Sequence, residues 1–502
     1  MSKLVAQLEA PNGLKFSLPT GLFINNEFVA SSSGSKIVSI SPINGEEIVS
    51  VEAASEADVD AAVQAANAAF DDESAWRQVS GAARSALLHR LADLIEEHRH
   101  TLATIETWDN GKAYTAAYGF DVGLVIKTFR YYAGYADKIH GQTIPTNSGK
   151  LVYTLRQPVG VCASVIPWNF PLCMAGFKLG PALATGNVVV MKPAEQTPLS
   201  ILYVADLIRQ AGFPPGVVNI INGYGSVAGR SLAEHPGVRK IGFTGSTLIG
   251  REIMKAGSLN LKNLTLETGG KSALIVFPDA DMTLAAQRAF FGSFTNQGQV
   301  CAATSRILVH ESIKDQFLDA FIAFINATSV VGDPFEQTTT QGPQVSDVQY
   351  DKILKYIEGA QQQGAKLKLG GTSAQAGLTN GKGFFIHPTV LTDVTKDMTI
   401  FQEEVFGPVV TITTFSTDKE AVALANSSEY GLSAAVFTRD IGRAHRAASS
   451  LHAGTVWINS VLELEVEVPF GGMKQSGIGR ELGEAGLHDY LETKSIHVNI
   501  HA

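Results

Sequence analysis

From Gly160 onward the chain alternates short β-branched runs with helical stretches, a pattern that few architectures accept. Residues 161–166 read as a strand, 171–183 as a helix, 188–191 as a strand, 200–211 as a helix and 217–221 as a strand. Strands separated in this way predict a parallel sheet with helices packed on its faces. After Glu267 the alternation resumes at 272–277 and continues through 306–309, 389–391, 409–415 and 455–458, predicting a second α/β unit. Upstream, residues 23–29 read as a strand and the following Ser31-Ser-Ser-Gly-Ser as a turn, and between Ser55 and Thr107 the apolar spacing changes to that of amphipathic helices. Two pieces fit neither unit. They are the stretch from Gly141 to about Gln157, with period-two alternation at 151–155, and the tail 495–500. Together they predict a projecting hairpin plus tail that pairs with another subunit.

Composition narrows the function classes. A chain of 502 residues with 45% hydrophobic and 17% charged residues and 48 glycines has the material for a large packed core with many glycine turns. Its 39 basic and 48 acidic residues give a net charge of −9, and no Lys/Arg cluster marks a nucleic-acid footprint or an anionic-membrane surface. Three cysteines, none in a C-x-x-C pair, exclude a disulfide framework and a zinc ribbon and fit a reducing compartment. The opening residues lack the apolar core of a targeting signal, and the apolar runs are strand-length, so a cytoplasmic location is expected. The histidines never reach His-Glu-x-x-His spacing, and no metal site is expected.

Several residues have the chemistry of a reaction centre. Cys301 stands in the polar, glycine-containing turn Thr295-Asn-Gln-Gly-Gln-Val-Cys301, the kind of partly open setting in which a thiolate forms and can be reached. Cys162 and Cys173 lie in apolar stretches and read as inert. Asn169, between the prolines of Pro167-Trp-Asn-Phe-Pro171, is either an amide held ready for an oxyanion or the cap of the following helix. Lys192 and Glu195 end a buried strand, where a carboxylate can accept both hydroxyls of an adenosine ribose; a solvated charge pair is the alternative. Two glycine-rich turns compete for a pyrophosphate. Gly223-Tyr-Gly225 departs from the dinucleotide fingerprint, whereas Thr244-Gly245-Ser246 follows a strand and opens a helix whose N–H groups favour a phosphate. Glu267, beside Gly269 and Gly270 at a strand end, is a general base if burial raises its pKa, or half of an ion pair.

Taken in order, Pro167-Trp-Asn-Phe-Pro171, Lys192-Pro-Ala-Glu195, Phe243-Thr-Gly-Ser-Thr247 with Gly250, Leu266-Glu-Thr-Gly-Gly-Lys-Ser272, Gly298-Gln-Val-Cys301 and Glu403-Glu-Val-Phe-Gly-Pro408 resemble the aldehyde dehydrogenase superfamily. Asn25 to Phe28, Asp109-Asn-Gly-Lys112 and Pro469-Phe-Gly-Gly-Met-Lys-Gln-Ser-Gly477 extend the match over nearly the whole chain. The resemblance implies an α/β protein with a Rossmann-like NAD-binding domain at 1–140 and 159–268 and an α/β catalytic domain at 269–480. It also implies a small β oligomerisation hairpin and tail at 141–158 and 481–502, assembling a homodimer or homotetramer.

For the site, the resemblance implies that Cys301 attacks the aldehyde, that Asn169 and the Cys301 backbone N–H hold the oxyanion, and that Glu267 activates water to hydrolyse the thioester. Lys178 and Glu481 would relay protons. Ile166, Trp168, Lys192, Glu195, Gly225, Thr244, Gly245, Ser246, Glu404 and Phe406 would contact NAD. Phe170, Met174 and Phe177 would line an apolar substrate tunnel. The sequence departs from the family pattern in three places, one of them Val300 and Thr295 near the thiol, where other members vary widely. Thr268 replaces the usual leucine and could add a hydroxyl near the water path, and Leu462-Glu-Leu-Glu-Val-Glu-Val468 could place Glu463, Glu465 and Glu467 at the tunnel mouth, where they would attract cationic aldehydes, or on a solvated face. A thiol esterase or a CoA-acylating dehydrogenase is the rival enzyme reading; a non-catalytic cofactor-binding protein is the remote one.

Overall fold

Two helix-covered sheets carry the chain, which the computed structural model describes over residues 4–146, 149–372 and 382–500. Met1–Lys3 and the ends of the expected hairpin and tail, 147–148 and 501–502, lie outside the described residues.

In the first sheet, Val161–Val165 pairs in parallel with Val188–Lys192 on one side and with Lys240–Thr244 on the other. Val218–Ile220 continues the first side and Asn263–Glu267 the second. The chain therefore winds outward from its central strand in two directions, and a crevice opens at that strand's carboxyl end, where the connections diverge. The central strands are buried and apolar, as a sheet covered on both faces requires. Residues 23–29 form two strands, not one. Leu22–Ile24 and Glu27–Val29 make a hairpin on the sheet edge, because Asn25 and Asn26 take positive φ (55° and 64°), the geometry of a two-residue turn. Ser55 caps the helix Glu56–Phe70 through a reciprocal bond with Asp58, which fixes where the first helix of the amino-terminal region begins.

The second sheet runs Lys366–Leu369, Thr389–Thr392, Val409–Phe415, Arg306–His310, Ala273–Val276, Ser433–Phe437 and Thr455–Ile458, parallel except at its first pair. Gly477–Ile478, inside the stretch expected to belong to the second unit, adds antiparallel to Asn263–Glu267 of the first sheet. That return brings residues 471–481 back against Glu267. A third, three-stranded antiparallel sheet joins the tail strand Leu491–Asn499 along its whole length to Lys150–Pro158, with Thr143–Ile144 at the far side. The outer edge of Leu491–Asn499 has no partner strand among the described residues.

Arg306 locks the second unit. It is 2% exposed, and its guanidinium donates to the carbonyls of Lys271 (2.7 Å), Leu424 (3.1 Å) and Ala425 (2.8 Å), the last two at the end of the helix Asp418–Asn426. A cation at a helix carboxyl terminus satisfies carbonyls that have no partner within the helix. Arg306→Met strands three buried acceptors and is expected to destabilise the protein by about 2–5 kcal/mol, each buried unpaired group costing about 1–3 kcal/mol. A lowered denaturant midpoint measures this; an unchanged midpoint means water replaces the guanidinium.

Candidate active site

The thiol turn follows the helix Met282–Phe294 and precedes the strand Arg306–His310. Three consecutive residues before the thiol adopt left-handed backbone: Asn296 (φ 49°), Gln297 (φ 58°) and Gly298 (φ 72°). For the first two this is strained, and such strain persists only where the surroundings over-determine it. Here they do. Asn296 Nδ2 donates to the Asn169 carbonyl at 3.1 Å, Gln297 Nε2 donates to the carbonyls of Gly111 and Pro343 at 3.1 Å each, and Gln299 Oε1 accepts from the Val345 N–H at 3.0 Å. At Gly298 a Cβ would lie 2.1 Å from the Gly407 carbonyl oxygen, so the turn touches the 403–408 loop backbone to backbone.

Asn169 is not a helix cap. Phe170 occupies the position before Pro171–Ala184, and the buried Asn169 side chain donates instead to the Gln299 carbonyl at 2.9 Å, inside the thiol turn. An amide nitrogen carries two N–H groups, so one remains for a ligand oxygen beside the thiol.

Electrostatically, the thiol departs from the expectation of an easily populated thiolate. Burial pushes the Cys301 pKa up to about 12, the carboxylates of Glu404 and Glu267 add to the rise, and the backbone N–H groups of Ala302 and Cys301 only partly oppose it. The residue is half-buried while Cys162 and Cys173 are buried, so access rather than resting charge sets it apart. Glu267 is 4% exposed and neither carboxylate oxygen has a hydrogen-bond partner. Its pKa stands well above the ordinary value, first through burial and then through Glu481, with Lys178 and Arg480 opposing. Burial thus favours its protonated form, and neither oxygen is locked in an ion pair. Glu404, raised by burial to about 7, rests on the Gly270 N–H at 2.9 Å.

Lys178 is fully buried and links two regions: its Nζ donates to Glu481 Oε1 at 2.6 Å and to Thr244 Oγ1 at 2.7 Å. The Thr268 hydroxyl, expected near the water path, is taken up elsewhere, donating to the Gln475 carbonyl at 2.6 Å.

At the carboxyl ends of the first sheet's central strands lies a groove of about 800 Å³. Ile166, Trp168, Lys192, Glu195, Gly225, Thr244, Gly245 and Ser246 all line it. Ser246 caps the helix Thr247–Gly257, accepting from the Ile249 N–H at 3.3 Å. Lys192, 2% exposed, pairs with Glu195 at 3.3 Å, and burial lowers its pKa. Glu404 and Phe406 do not line this groove; they stand on the loop from the second unit, and the Phe406 ring meets Trp168 edge-on at 5.2 Å. No sequence motif points to Arg230 and Lys255, which also line the groove, or to Gln349, whose amide holds the Val405 and Phe406 carbonyls at 3.1 and 2.8 Å.

Phe170, Met174 and Phe177 pack with Leu464, Val466 and Phe470 into one apolar cluster, which Phe170 joins to Asn169. Residues 462–468 form an irregular loop rather than a strand, yet they do alternate: Leu464 and Val466 turn inward, whereas Glu463, Glu465 and Glu467 are exposed, with Glu463 paired to Arg288 at 3.2 Å. All three carboxylates are open to solvent.

A sequence profile described as "Aldehyde dehydrogenase family" matches residues 28–496. The chain is 52% identical over 501 residues to an "Aldehyde dehydrogenase" of Emericella nidulans, covering 100% of this chain and 99% of that one. It is 52% identical over 492 residues to the human "Aldehyde dehydrogenase, mitochondrial", covering 98% and 94%. Among solved structures it resembles the NAD+ complex of aldehyde dehydrogenase from Bacillus cereus, with TM-score 0.93, 46% identity and 96% of each chain covered.

Since its pKa is raised, the thiol is protonated at neutral pH, and only deprotonation frees it to react. Alkylation of Cys301 by iodoacetamide in the cofactor-free protein is expected to climb steadily from pH 7 to pH 10 without levelling. A plateau below pH 8 would show a stable thiolate and contradict the burial argument.

Proposed function

The chain belongs to the aldehyde dehydrogenase family, and we propose that Cys301 is its nucleophile, Asn169 its oxyanion donor and Glu267 the base that admits water. Its reaction is the NAD-dependent oxidation of an aldehyde to a carboxylic acid. One observation carries the assignment of roles: an accessible thiol, a pinned amide and a buried carboxylate free of hydrogen bonds converge where the two sheets meet.

Once the thiol has given its proton to solvent, the Cys301 sulfur forms a bond to the aldehyde carbon, and the carbonyl oxygen, taking up the π electron pair as an oxyanion, is held by the free N–H of Asn169 Nδ2 and by the Cys301 backbone N–H. NAD, when bound, is the hydride acceptor. The thioester on Cys301 is then opened by water, whose proton Glu267 takes once it is ionised. A raised pKa makes Glu267 a better acceptor for that proton. Lys178 and Glu481, joined at 2.6 Å, lie on the side from which Glu267 feels charge and carry the proton onward. An unpaired carboxylate beside the thiol favours water over CoA as acyl acceptor, and over a role as a thiol esterase lacking a redox step.

The groove suits the cofactor. Glu195, with a third of its side chain exposed, is placed for a ribose diol, the helix opened by Ser246 points backbone N–H groups toward a pyrophosphate, and Phe406 meets Trp168 at the nicotinamide side. The inward-facing apolar cluster accepts aliphatic or aromatic aldehydes. The open edge of Leu491–Asn499 supports assembly into a homodimer or homotetramer. Three free cysteines support a cytoplasmic location, and no described helix is long and apolar enough to cross a membrane.

Glu267→Gln is expected to keep hydride transfer and lose hydrolysis, giving a burst of NADH followed by a slow steady rate with an acyl adduct visible by mass spectrometry. A single slow phase without adduct would place Glu267 before hydride transfer. NAD is expected to bind at least about tenfold more tightly than NADP, since ~1.4 kcal/mol of repulsion between Glu195 and a 2′-phosphate is enough. Equal affinities in a competitive titration would remove Glu195 as the selector.

A further inference from the structure

Behind the loop that carries Asn169 lies a buried ion cluster that the reaction above leaves unused. Lys112 is 2% exposed at its side chain, and Glu106 and Asp121 are 1% exposed. Lys112 Nζ is bonded to Asp121, stands 3.8 Å from Glu106 Oε1 and donates to the main-chain carbonyl of Asn169 at 2.9 Å. The same ammonium lies 4.3 Å from the centre of the Phe170 ring. Glu106 Oε1 accepts from the Leu172 N–H at 3.3 Å, so the cluster grips the chain both at the Asn169–Phe170 peptide and just after it.

Such a cluster is a poor way to gain stability. Desolvating an ammonium and two carboxylates costs several kcal/mol per ion, and well-packed apolar residues often serve as well or better. Geometry is what it supplies. The Asn169 carbonyl takes three donors: Lys112 Nζ at 2.9 Å, Asn296 Nδ2 at 3.1 Å and, at 3.4 Å, Asn110 Nδ2, which is shared with the Trp168 carbonyl at 2.6 Å. Asn296 belongs to the thiol turn itself, and Asn110 bonds the neighbouring carbonyl more closely. Lys112 is thus the strong tie between this peptide and the rigid helical scaffold, and its donor is charged, which roughly doubles the strength of a hydrogen bond.

We propose that Lys112 is a positioning residue for the oxidation: held by Asp121 and Glu106, it fixes the Asn169 carbonyl, and through that peptide it aims the Asn169 amide at the oxygen of the substrate bound to Cys301. The proposal rests on Asn169 being the oxyanion donor. Its signature is selective. Reactions of the thiol that build an oxyanion depend on Lys112, and reactions that build none do not.

The test uses the NAD-saturated enzyme and two probes of Cys301. A trifluoromethyl ketone forms a tetrahedral adduct with an oxyanion; iodoacetamide alkylates the sulfur at a saturated carbon and forms none. In the double variant Lys112→Met/Asp121→Asn, ammonium and carboxylate leave together, and Glu106, whose pKa burial has already raised to about 7, goes over to its neutral form. Its kcat/KM for an aldehyde and its affinity for the ketone are expected to fall about tenfold to a hundredfold, as for a small misplacement of a reacting group, while iodoacetamide alkylation and NAD affinity hold. Asp121→Asn alone, which leaves Lys112 with Glu106, should show the same selective loss in smaller measure and decides the matter if the double variant does not fold. Equal falls for both probes, or ketone affinity at the wild-type level, overturn the proposal. Asn169→Ala separates the two layers. If it keeps full ketone affinity, the oxyanion reading fails; if it loses affinity while the Lys112 and Asp121 variants do not, only the positioning role fails. Added to Asn169→Ala, the double variant should cost no further ketone affinity, because both act through one amide.

Discussion

Parallel pairing along both edges of Val161–Val165 is the constraint from which the site follows. A parallel strand cannot turn back on itself, so the chain must leave the sheet at its carboxyl end and cross to a neighbour. Here the neighbours on the two sides lead in opposite directions, and the space between them cannot be filled by either connection. The segment leaving that strand, Ile166 to Phe170, is at once the floor of the groove and the carrier of the pinned amide. Cofactor cleft and oxyanion donor are thus two consequences of a single topological fact.

The second unit contributes its chemistry through burial. Around the thiol, Cys301, Glu267, Glu404 and Lys271 are all driven toward their uncharged forms, chiefly by loss of water, Lys271 falling to about 7. In a pocket of low dielectric, fixed N–H dipoles act more strongly on a developing oxyanion than they would in water. Lys178, bonded both to Glu481 and to the groove residue Thr244, is the physical link between the two units' tasks.

Much of this was legible in the sequence because it depends on local pattern. Strands 409–415 and 455–458 appear with their observed bounds, since β-branched runs bordered by polar residues have few other uses. Ser433–Phe437 was not legible: with two alanines and a serine among its five residues it lacks β-branched character, and it is a strand because Ala273–Val276 and Thr455–Ile458 flank it. The groove residues were recognisable as motifs that follow strands. The resting state of the thiol was not, because a polar local sequence says nothing of the carboxylates that folding brings from residues 267 and 404. The cluster around Lys112 was hidden for the same reason; its members come from different turns of the chain and meet the amide only in three dimensions.

The close approach of backbones at Gly298, where any side chain would collide with the Gly407 carbonyl, has a counterpart at Gly270, where a Cβ would lie 2.3 Å from the Cys301 carbonyl oxygen. The backbone that carries the thiol is therefore packed main chain against main chain at both points, and each position requires glycine. Whatever widens or narrows the range of aldehydes accepted has to leave these two glycines alone and act through replaceable side chains, among them Met174, Leu464 and Val466 of the apolar cluster. In lineages that diversify their substrates, or in a library built to do so, variation should accumulate in such side chains, while the two glycines stay fixed.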